Sequence, residues 1–199
     1  MKLDLVHDLQ ATYRKALDSM SRPGLISNIH TQANKVNMEI SCFDSSLVLV
    51  LMLFDTEVKF KVCSEREEEV AKLINQLTYA KTTEVESADY ILVLNDAKAE
   101  DVEKAFRMAY SGDLLDPHKA ATMIIEANSV SNVRDLILTG PGIETECYIN
   151  VKTTIDGWVD LRAEKNSEYP LGIDLIFVDR NDNILCLPRT TQITKQVVG

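Results

Sequence analysis

The stretch from Ile173 to Pro188 reads IDLIFVDRNDNILCLP, two apolar runs separated by the four polar residues RNDN. Such a polar group between apolar runs is typical of a turn, so the runs are predicted to pair as antiparallel strands. Symmetric pairing about this turn, with Asp179 facing Ile184, has a further consequence. It places Asp174 opposite Arg189, at the open end of the hairpin.

Asp174 needs such a partner, because a strand in an apolar run normally carries uncharged side chains. A bidentate pair with Arg189 costs far less than a lone buried charge. Pro188 restricts this end of the strand to a sheet edge or a ladder end, so Arg189, Thr190 and Thr191 are expected to leave the sheet with free donors. Two interpretations remain open, a structural ion pair and an anion-binding site.

A second candidate loop is TGPGI, Thr139 to Ile143, which follows three apolar residues. With Gly140 and Gly142 in the loop, the backbone N–H groups of this segment could surround a phosphate-like anion. The spacing matches neither GxGxxG nor a Walker loop. A tight turn is therefore the alternative interpretation.

Length and charge exclude several classes of protein. The 199 residues, 45% of them hydrophobic, predict one domain over the whole chain, 1–199. A net charge of -10 argues against nucleic acid or an anionic membrane as the main partner. The longest apolar run, Leu47 to Phe54, is too short to span a bilayer. Asp4 and Asp8 lie where a signal peptide would be apolar, so a cytoplasmic location is expected.

The cysteines and histidines show no metal-binding or disulfide pattern. No CxxC spacing occurs among the four cysteines, and Cys63 and Cys186 lie in apolar strand-like runs. Both are expected to be plain buried thiols. The three histidines are scattered, and no partner at useful spacing marks any of them as a base.

Alternating helices and apolar strands fill the rest of the chain. In the first predicted helix, Asp4 to Met20, the residues Leu5, Leu9, Tyr13, Ala16, Leu17 and Met20 share one stripe. Ser64 and Glu67 form a predicted capping box for another helix. The apolar run Leu47–Phe54 is either a buried helix or a central strand, and the entry Ser45-Ser46 favours a helix. The remaining predicted helices are Glu100–Ala109 and Thr154–Arg162, and the remaining strands are Leu25–Ile29, Val58–Cys63, Tyr90–Leu94, Thr122–Ala127 and Leu136–Ile143. This order predicts an α/β fold, a three-layer sandwich around a mixed sheet.

Four segments together resemble a known family. They are SMSRPGLI at Ser19–Ile26, LTGPGI at Leu138–Ile143, YPLGIDLIF at Tyr169–Phe177 and LPRTT at Leu187–Thr191. In order and spacing they are similar to the motifs of the PhnH family, which belongs to the bacterial carbon–phosphorus lyase system. The resemblance runs from about Leu9 to Thr191, but between Glu65 and Ala120 it is one of pattern more than of residues.

The resemblance implies a fold related to the large domain of pyridoxal-phosphate-dependent transferases, with no cofactor bound. It also implies a homodimer and membership of a core complex with the G, I and J subunits. In that system a phosphonate displaces adenine from ATP, giving a ribose 1-phosphonate 5-triphosphate, before the carbon–phosphorus bond is cleaved. The residues themselves show no catalytic constellation.

The sequence therefore predicts a scaffolding or assisting subunit of phosphonate catabolism that contributes to binding a phosphonate or a nucleotide. The rival interpretation is an independent enzyme, either pyridoxal-phosphate-dependent or a phosphonate or nucleotide transferase. Its anion site would lie near Thr139–Gly142 and Arg189–Thr191. Both interpretations share the candidate residues Thr139, Gly140, Gly142, Asp174, Arg189, Thr190 and Thr191.

Overall fold

The computed structural model describes residues 2–38 and 41–196, which form six α-helices, two short 3-10 helices (Val85–Ser87 and Pro117–Lys119) and ten strands within these ranges. The helices are α1 (His7–Ser21), α2 (His30–Ala33), α3 (Asp44–Leu53), α4 (Glu67–Thr78), α5 (Ala99–Met108) and α6 (Trp158–Lys165). The strands are β1 (Ile26–Asn28), β2 (Lys59–Cys63), β3 (Lys81–Thr82), β4 (Tyr90–Val93), β5 (Thr122–Ala127), β6 (Ser129–Thr139), β7 (Cys147–Lys152), β8 (Asp174–Asp179), β9 (Asn183–Leu187) and β10 (Gln192–Lys195).

Seven strands form a mixed sheet in the order β1-β9-β8-β5-β4-β2-β3. The pairs from β3 to β8 are parallel, whereas β9 is antiparallel to both of its neighbours. Parallel neighbours need crossover connections, and α4 and α5 supply two of them. The α/β class and the mixed sheet predicted from the sequence are confirmed.

Each central strand buries side chains on both faces, as parallel sheets require. Ile91 and Val93 of β4 contact the core under α5 and α6, while Leu92 and Leu94 contact the core under α1, α3 and α4. Helices therefore cover one face, and the opposite face carries α5 and α6 together with a second sheet.

This second sheet has three antiparallel strands in the order β10-β6-β7, and the sequence analysis did not anticipate it. Of the expected strand Leu136–Ile143, only the part up to Thr139 is extended, as the end of β6, which begins at Ser129. The residues from Gly140 to Ile143 form a turn beyond the strand. The helix expected over Thr154–Arg162 begins later, at Trp158, after Gly157 adopts a left-handed conformation with φ 78°.

Other predicted elements were correct in type, with small shifts. The apolar run after Ser45-Ser46 is helical, as the serines suggested. The predicted capping box is wrong in detail, because the Ser64 hydroxyl accepts the N–H of Arg66 at 3.0 Å and the helix begins at Glu67. Cys63 and Cys186 are buried free thiols, as expected.

Helix α1 does not bury its whole apolar stripe. Leu5, Tyr13 and Leu17 are exposed, whereas the polar residues Asp8, Thr12 and Ser19 point inward. Ser19 is buried because its hydroxyl donates to the Leu25 carbonyl at 2.8 Å and accepts the Cys186 N–H at 2.9 Å. These hydrogen bonds fix a rotation of α1 about its axis in which part of its polar face is buried. Part of its apolar face is therefore left exposed.

Among residues 2–38 and 41–196, no helix combines the length and apolar character that crossing a membrane requires.

Candidate functional site

The final hairpin brings Asp174 and Arg189 together at the edge where the parallel strands begin. Asp174 Oδ2 lies 2.6 Å from Arg189 Nη2, and Oδ1 accepts Nε at 3.3 Å and the Arg189 backbone N–H at 2.6 Å. Only 18% and 16% of the two side chains are exposed. The predicted ion pair is therefore present, and it is largely shielded from water.

The register that predicted this pair was wrong by one residue. Val178, not Asp179, faces Ile184, because the Asp179 carboxylate accepts the N–H groups of Asn181 and Asn183 inside the turn. Asp174 still reaches Arg189, since the arginine lies just beyond the last paired residue, Leu187. Pro188 accordingly follows the last paired residue of β9, which is an inner strand and not an edge strand of the sheet.

The TGPG loop packs directly against the neighbouring motifs. Gly140 and Gly142 have φ values of 125° and 84°, which favour glycine. A Cβ on Gly140 would lie 3.0 Å from the Thr190 carbonyl oxygen, and one on Gly142 would overlap the carbonyl oxygen of Ser21. The Ile143 N–H donates to the Gly140 carbonyl at 3.1 Å, so the loop is also a tight turn.

A cavity of about 300 Å³ opens where these loops meet. Its lining comes from the TGPG loop, the end of α6, the loop before β8 and the segment after β9, as Pro141, Asn166, Tyr169, Leu171, Arg189, Thr190 and Gln192. Of these residues only Arg189 carries a charge. The cavity is therefore a mostly neutral, polar and aromatic pocket with one cation in its wall.

The three threonines have different surroundings. Thr139 is the last residue of β6 and faces Gln192 in the ladder. Thr190 lines the cavity, but Thr191 is buried and its backbone N–H donates to the Pro188 carbonyl at 2.9 Å. The expectation of free donors along the segment is wrong for the backbone N–H groups of Arg189 and Thr191, which are already bound. The Thr191 hydroxyl, by contrast, is buried and has no hydrogen-bond partner among the described residues.

Arg162 on α6 holds this segment in place, although the sequence analysis did not identify it. Its guanidinium donates to the carbonyls of Thr191 at 3.0 Å and Pro188 at 2.7 Å, and only 3% of the residue is exposed. Burial lowers the pKa of Arg162 to about 10, although the charge of Asp174 opposes this shift. One turn later, Asn166 binds the N–H and carbonyl of Ile173.

The match to known proteins covers the segments that form this arrangement. The family model described as "Bacterial phosphonate metabolism protein (PhnH)" matches residues 3–194. The chain belongs to the PhnH family. The resemblance seen in the four motifs is thereby confirmed.

Two curated relatives agree with this membership. One is the "Alpha-D-ribose 1-methylphosphonate 5-triphosphate synthase subunit PhnH" of Rhizobium meliloti (strain 1021), 27% identical over 193 residues, which cover 97% of this chain and 94% of the relative. The other is the "Putative C-P lyase subunit protein HtxG" of Stutzerimonas stutzeri, 28% identical over 186 residues, with 92% and 85% covered.

A second polar cluster lies at the opposite edge of the sheet, where parallel sheets commonly bind ligands. Glu126 on β5 is 2% exposed, and its carboxylate accepts the Phe43 N–H at 2.6 Å, the Ser46 hydroxyl at 2.8 Å and the Asn95 N–H at 3.1 Å. Burial raises the pKa of Glu126 despite these three donors. The carboxylate joins the start of α3 to the end of β4, so its contacts have a structural explanation.

Sequence signals differed between these missed residues. Glu126 interrupts the apolar run TMIIEA as Asp174 interrupts the run IDLIFV. A charged residue within an apolar strand was therefore a signal for both positions. Arg162 lies in the ordinary helical segment WVDLRAEK, and nothing local distinguishes it from a surface arginine.

The charged groups at the candidate site are bound to other protein atoms. Both carboxylate oxygens of Asp174 bind Arg189, and Arg189 also donates through Nη1 to the Pro117 carbonyl. Cys186, the thiol buried in β9, has its pKa raised to about 12 by desolvation, which keeps it protonated. Within the described ranges, no group of three or more His, Cys, Asp or Glu side chains is placed to hold a metal ion.

Proposed function

We propose that this chain is the PhnH component of a carbon–phosphorus lyase complex in organic phosphonate catabolism. The observation that carries the proposal is the family match over residues 3–194, supported by two relatives that are named as subunits of such systems. The role is that of a scaffold and assisting subunit in the displacement of adenine from ATP by a phosphonate. Its partners are the sister G, I and J subunits.

The geometry of the site supports assistance rather than independent catalysis. Arg189 in the cavity wall, its partner Asp174 and the nearby Arg162 are all bound to protein atoms. A catalytic acid, base or nucleophile needs a free position toward its substrate. What remains open to a ligand is the outer edge of Arg189, the Thr190 side chain and the Tyr169 ring, which suit binding of a phosphonate or a nucleotide.

The other expectations from the sequence and from the family resemblance remain part of the proposal. They are the single domain over 1–199, a homodimer in the cytoplasm, and kinship of the fold with the large domain of pyridoxal-phosphate-dependent transferases. A surface for the second copy is offered by uncovered apolar residues, Tyr13 and Leu17 of α1 and Leu5 just before it. Light scattering on the purified chain measures its oligomeric state.

Genetic complementation tests the proposal in cells. A bacterium that uses phosphonates and lacks its own PhnH protein should grow on methylphosphonate as sole phosphorus source only when this chain is supplied. Growth on inorganic phosphate is the control, since it bypasses the pathway. Failure of the folded, expressed chain to restore growth would count against the proposal, as would restoration in a strain that also lacks the G, I and J subunits.

A further inference from the structure

The loop between α5 and β5 exposes two neighbouring leucines. In the segment Asp113–Asp116, here named the DLLD loop, Leu114 is 76% exposed and Leu115 is 92% exposed. Isolated apolar residues are common on protein surfaces, but two adjacent exposed leucines in a structured loop form a compact apolar patch. Such a patch is suited to insertion into a pocket of another protein.

The backbone of the DLLD loop is already ordered without a partner. Asp113 Oδ1 accepts the N–H groups of Leu115 and Asp116, both at 2.8 Å, and Oδ2 accepts the Tyr110 hydroxyl at 2.8 Å. On one side of the loop, the Ser111 carbonyl accepts the N–H of Gly172 at 2.9 Å. Because the loop is held in one conformation, inserting its leucines costs little additional conformational entropy.

The chemistry of the loop also indicates its partner. The leucines lie between Asp113 and Asp116, and hydrogen bonds from the Asp116 N–H, the Tyr110 hydroxyl and the Leu115 N–H lower the pKa of the Asp113 carboxyl. Asp116 pairs with Lys119 at an exposed site, where such a bridge contributes little stability and a basic group of a partner can replace the lysine. A two-fold contact between two DLLD loops would bring like charges together in a chain of net charge -10, which disfavours a second copy.

We propose that the DLLD loop docks into an apolar pocket bordered by lysine or arginine on another subunit of the same complex. This inference rests on the proposed function, because it assigns a surface to the partnership proposed there. Leu114 and Leu115 fill the pocket, and Asp113 and Asp116 face its basic rim. The loop lies beside the candidate cavity, since Arg189 Nη1 donates to the carbonyl of Pro117, directly after the loop.

Binding of the double variant Leu114→Ser/Leu115→Ser to the co-expressed sister subunits tests the inference. We expect its affinity to fall by about tenfold or more, with the thermal midpoint of the isolated chain unchanged. The matched control is Val133→Ser, which removes an exposed apolar side chain from β6 and should bind as the wild type does. Asp116→Asn should slow association at low salt, and this difference should vanish at high salt.

The outcomes separate the inference from the proposed function. Equal binding of the wild type and the double variant would overturn the inference and leave the proposed function intact. Loss of self-association in the double variant, with sister-subunit binding retained, would assign the loop to a second copy and overturn it as well. If the folded wild type binds none of the sister subunits, both proposals fail together.

Discussion

At the scale of single residues, Asp174 and Arg189 show how a charge that is largely shielded from water is stabilised by a partner. The carboxylate receives three hydrogen bonds from one residue, and the guanidinium gains a further acceptor in the Pro117 carbonyl. Without the Asp174 carboxylate, the charge of Arg189 would have no ionic partner in a site that little water reaches. The ion pair therefore ties the end of the hairpin to the start of the sheet.

We predict that Asp174→Ala lowers the free energy of unfolding by about 3 to 5 kcal/mol, because it leaves the largely shielded charge of Arg189 without its partner. Arg189→Lys should cost less, since the charge remains and only the bidentate geometry is lost. Urea denaturation measures both. The matched control is Asp160→Ala, which removes the exposed partner of Lys195 and should cost less than about 1 kcal/mol.

An equal cost for Asp174→Ala and Asp160→Ala would contradict a structural role for the pair. Preserved stability in Arg189→Lys, together with weakened binding of a phosphonate or nucleotide, would instead favour the anion-site interpretation.

Glu126 is the residue whose titration should be visible in stability. Its pKa in the folded protein is raised above the ordinary value of 4.5, chiefly by burial, so the folded state binds the proton more tightly than the unfolded state does. Its contribution to stability is therefore fully present below pH about 4.5 and is lost as the pH rises through the folded pKa.

Comparison with Glu126→Gln isolates this contribution, because other titrating groups cancel in the difference. We predict that the stability advantage of the wild type over the variant is largest near pH about 4 and shrinks as the pH rises above the ordinary glutamate value. Denaturation midpoints between pH about 4 and 8 measure it. An advantage that grows with pH would show that the three donors outweigh burial.

At the scale of elements, α6 organises the segment that follows β9. Arg162 and Asn166, one turn apart, bind backbone groups on both sides of the Pro188–Thr191 turn and before β8. This helix thereby fixes the wall of the cavity. Its role depends on hydrogen bonds to main-chain atoms rather than on apolar packing alone.

We predict that Arg162→Met costs about 2 to 4 kcal/mol, because two carbonyl groups lose their donors in a buried site. Amide hydrogen exchange should accelerate in β10, which directly follows the released turn. The control is Arg107→Met on α5, whose ion pairs with Glu103 and Glu164 are exposed, and it should destabilise the protein far less than Arg162→Met does. Similar costs for the two variants would remove the assigned role of Arg162.

The TGPG loop allows a matched test of close packing. Gly142 and Gly157 have similar left-handed φ values, 84° and 78°, but a Cβ on Gly142 would overlap the Ser21 carbonyl while one on Gly157 would meet nothing within 4 Å. Gly142→Ala should therefore cost about 1 to 3 kcal/mol more than Gly157→Ala in denaturation experiments. Equal costs would mean that backbone strain alone explains both positions.

The sequence predicted those features whose signal is local. The Asp174–Arg189 pair, the buried helix after Ser45-Ser46 and the strands of the mixed sheet follow from apolar patterning and turn residues within short segments. The second sheet did not, because β10 has a single apolar residue and pairs with β6 across a long intervening segment. The alternation of Cys147, Ile149 and Val151 with polar neighbours in β7 was a strand signal that the prediction overlooked. The orientation of α1 was missed because Ser19 bonds to Leu25 and Cys186 rather than to solvent.

At the scale of the whole molecule, the two edges of the mixed sheet have different roles. One edge carries the cavity, the ion pair and the DLLD loop, and the other carries the Glu126 cluster that anchors α3. The four family motifs contribute to the first edge and to the loops packed against it. An apolar helix surface and an apolar loop remain uncovered on a strongly acidic chain, which is consistent with a protein that works in an assembly.

The measurement that tests the central claim most directly is the release of adenine from ATP in the presence of a phosphonate, followed by chromatography. The purified G, I and J subunits are assayed with and without this chain, and the chain is assayed alone. We predict that adenine release by the sister subunits depends on this chain and that the chain alone releases none. Turnover by the chain alone at about 1 per second or faster, an ordinary enzymatic rate, would contradict the account.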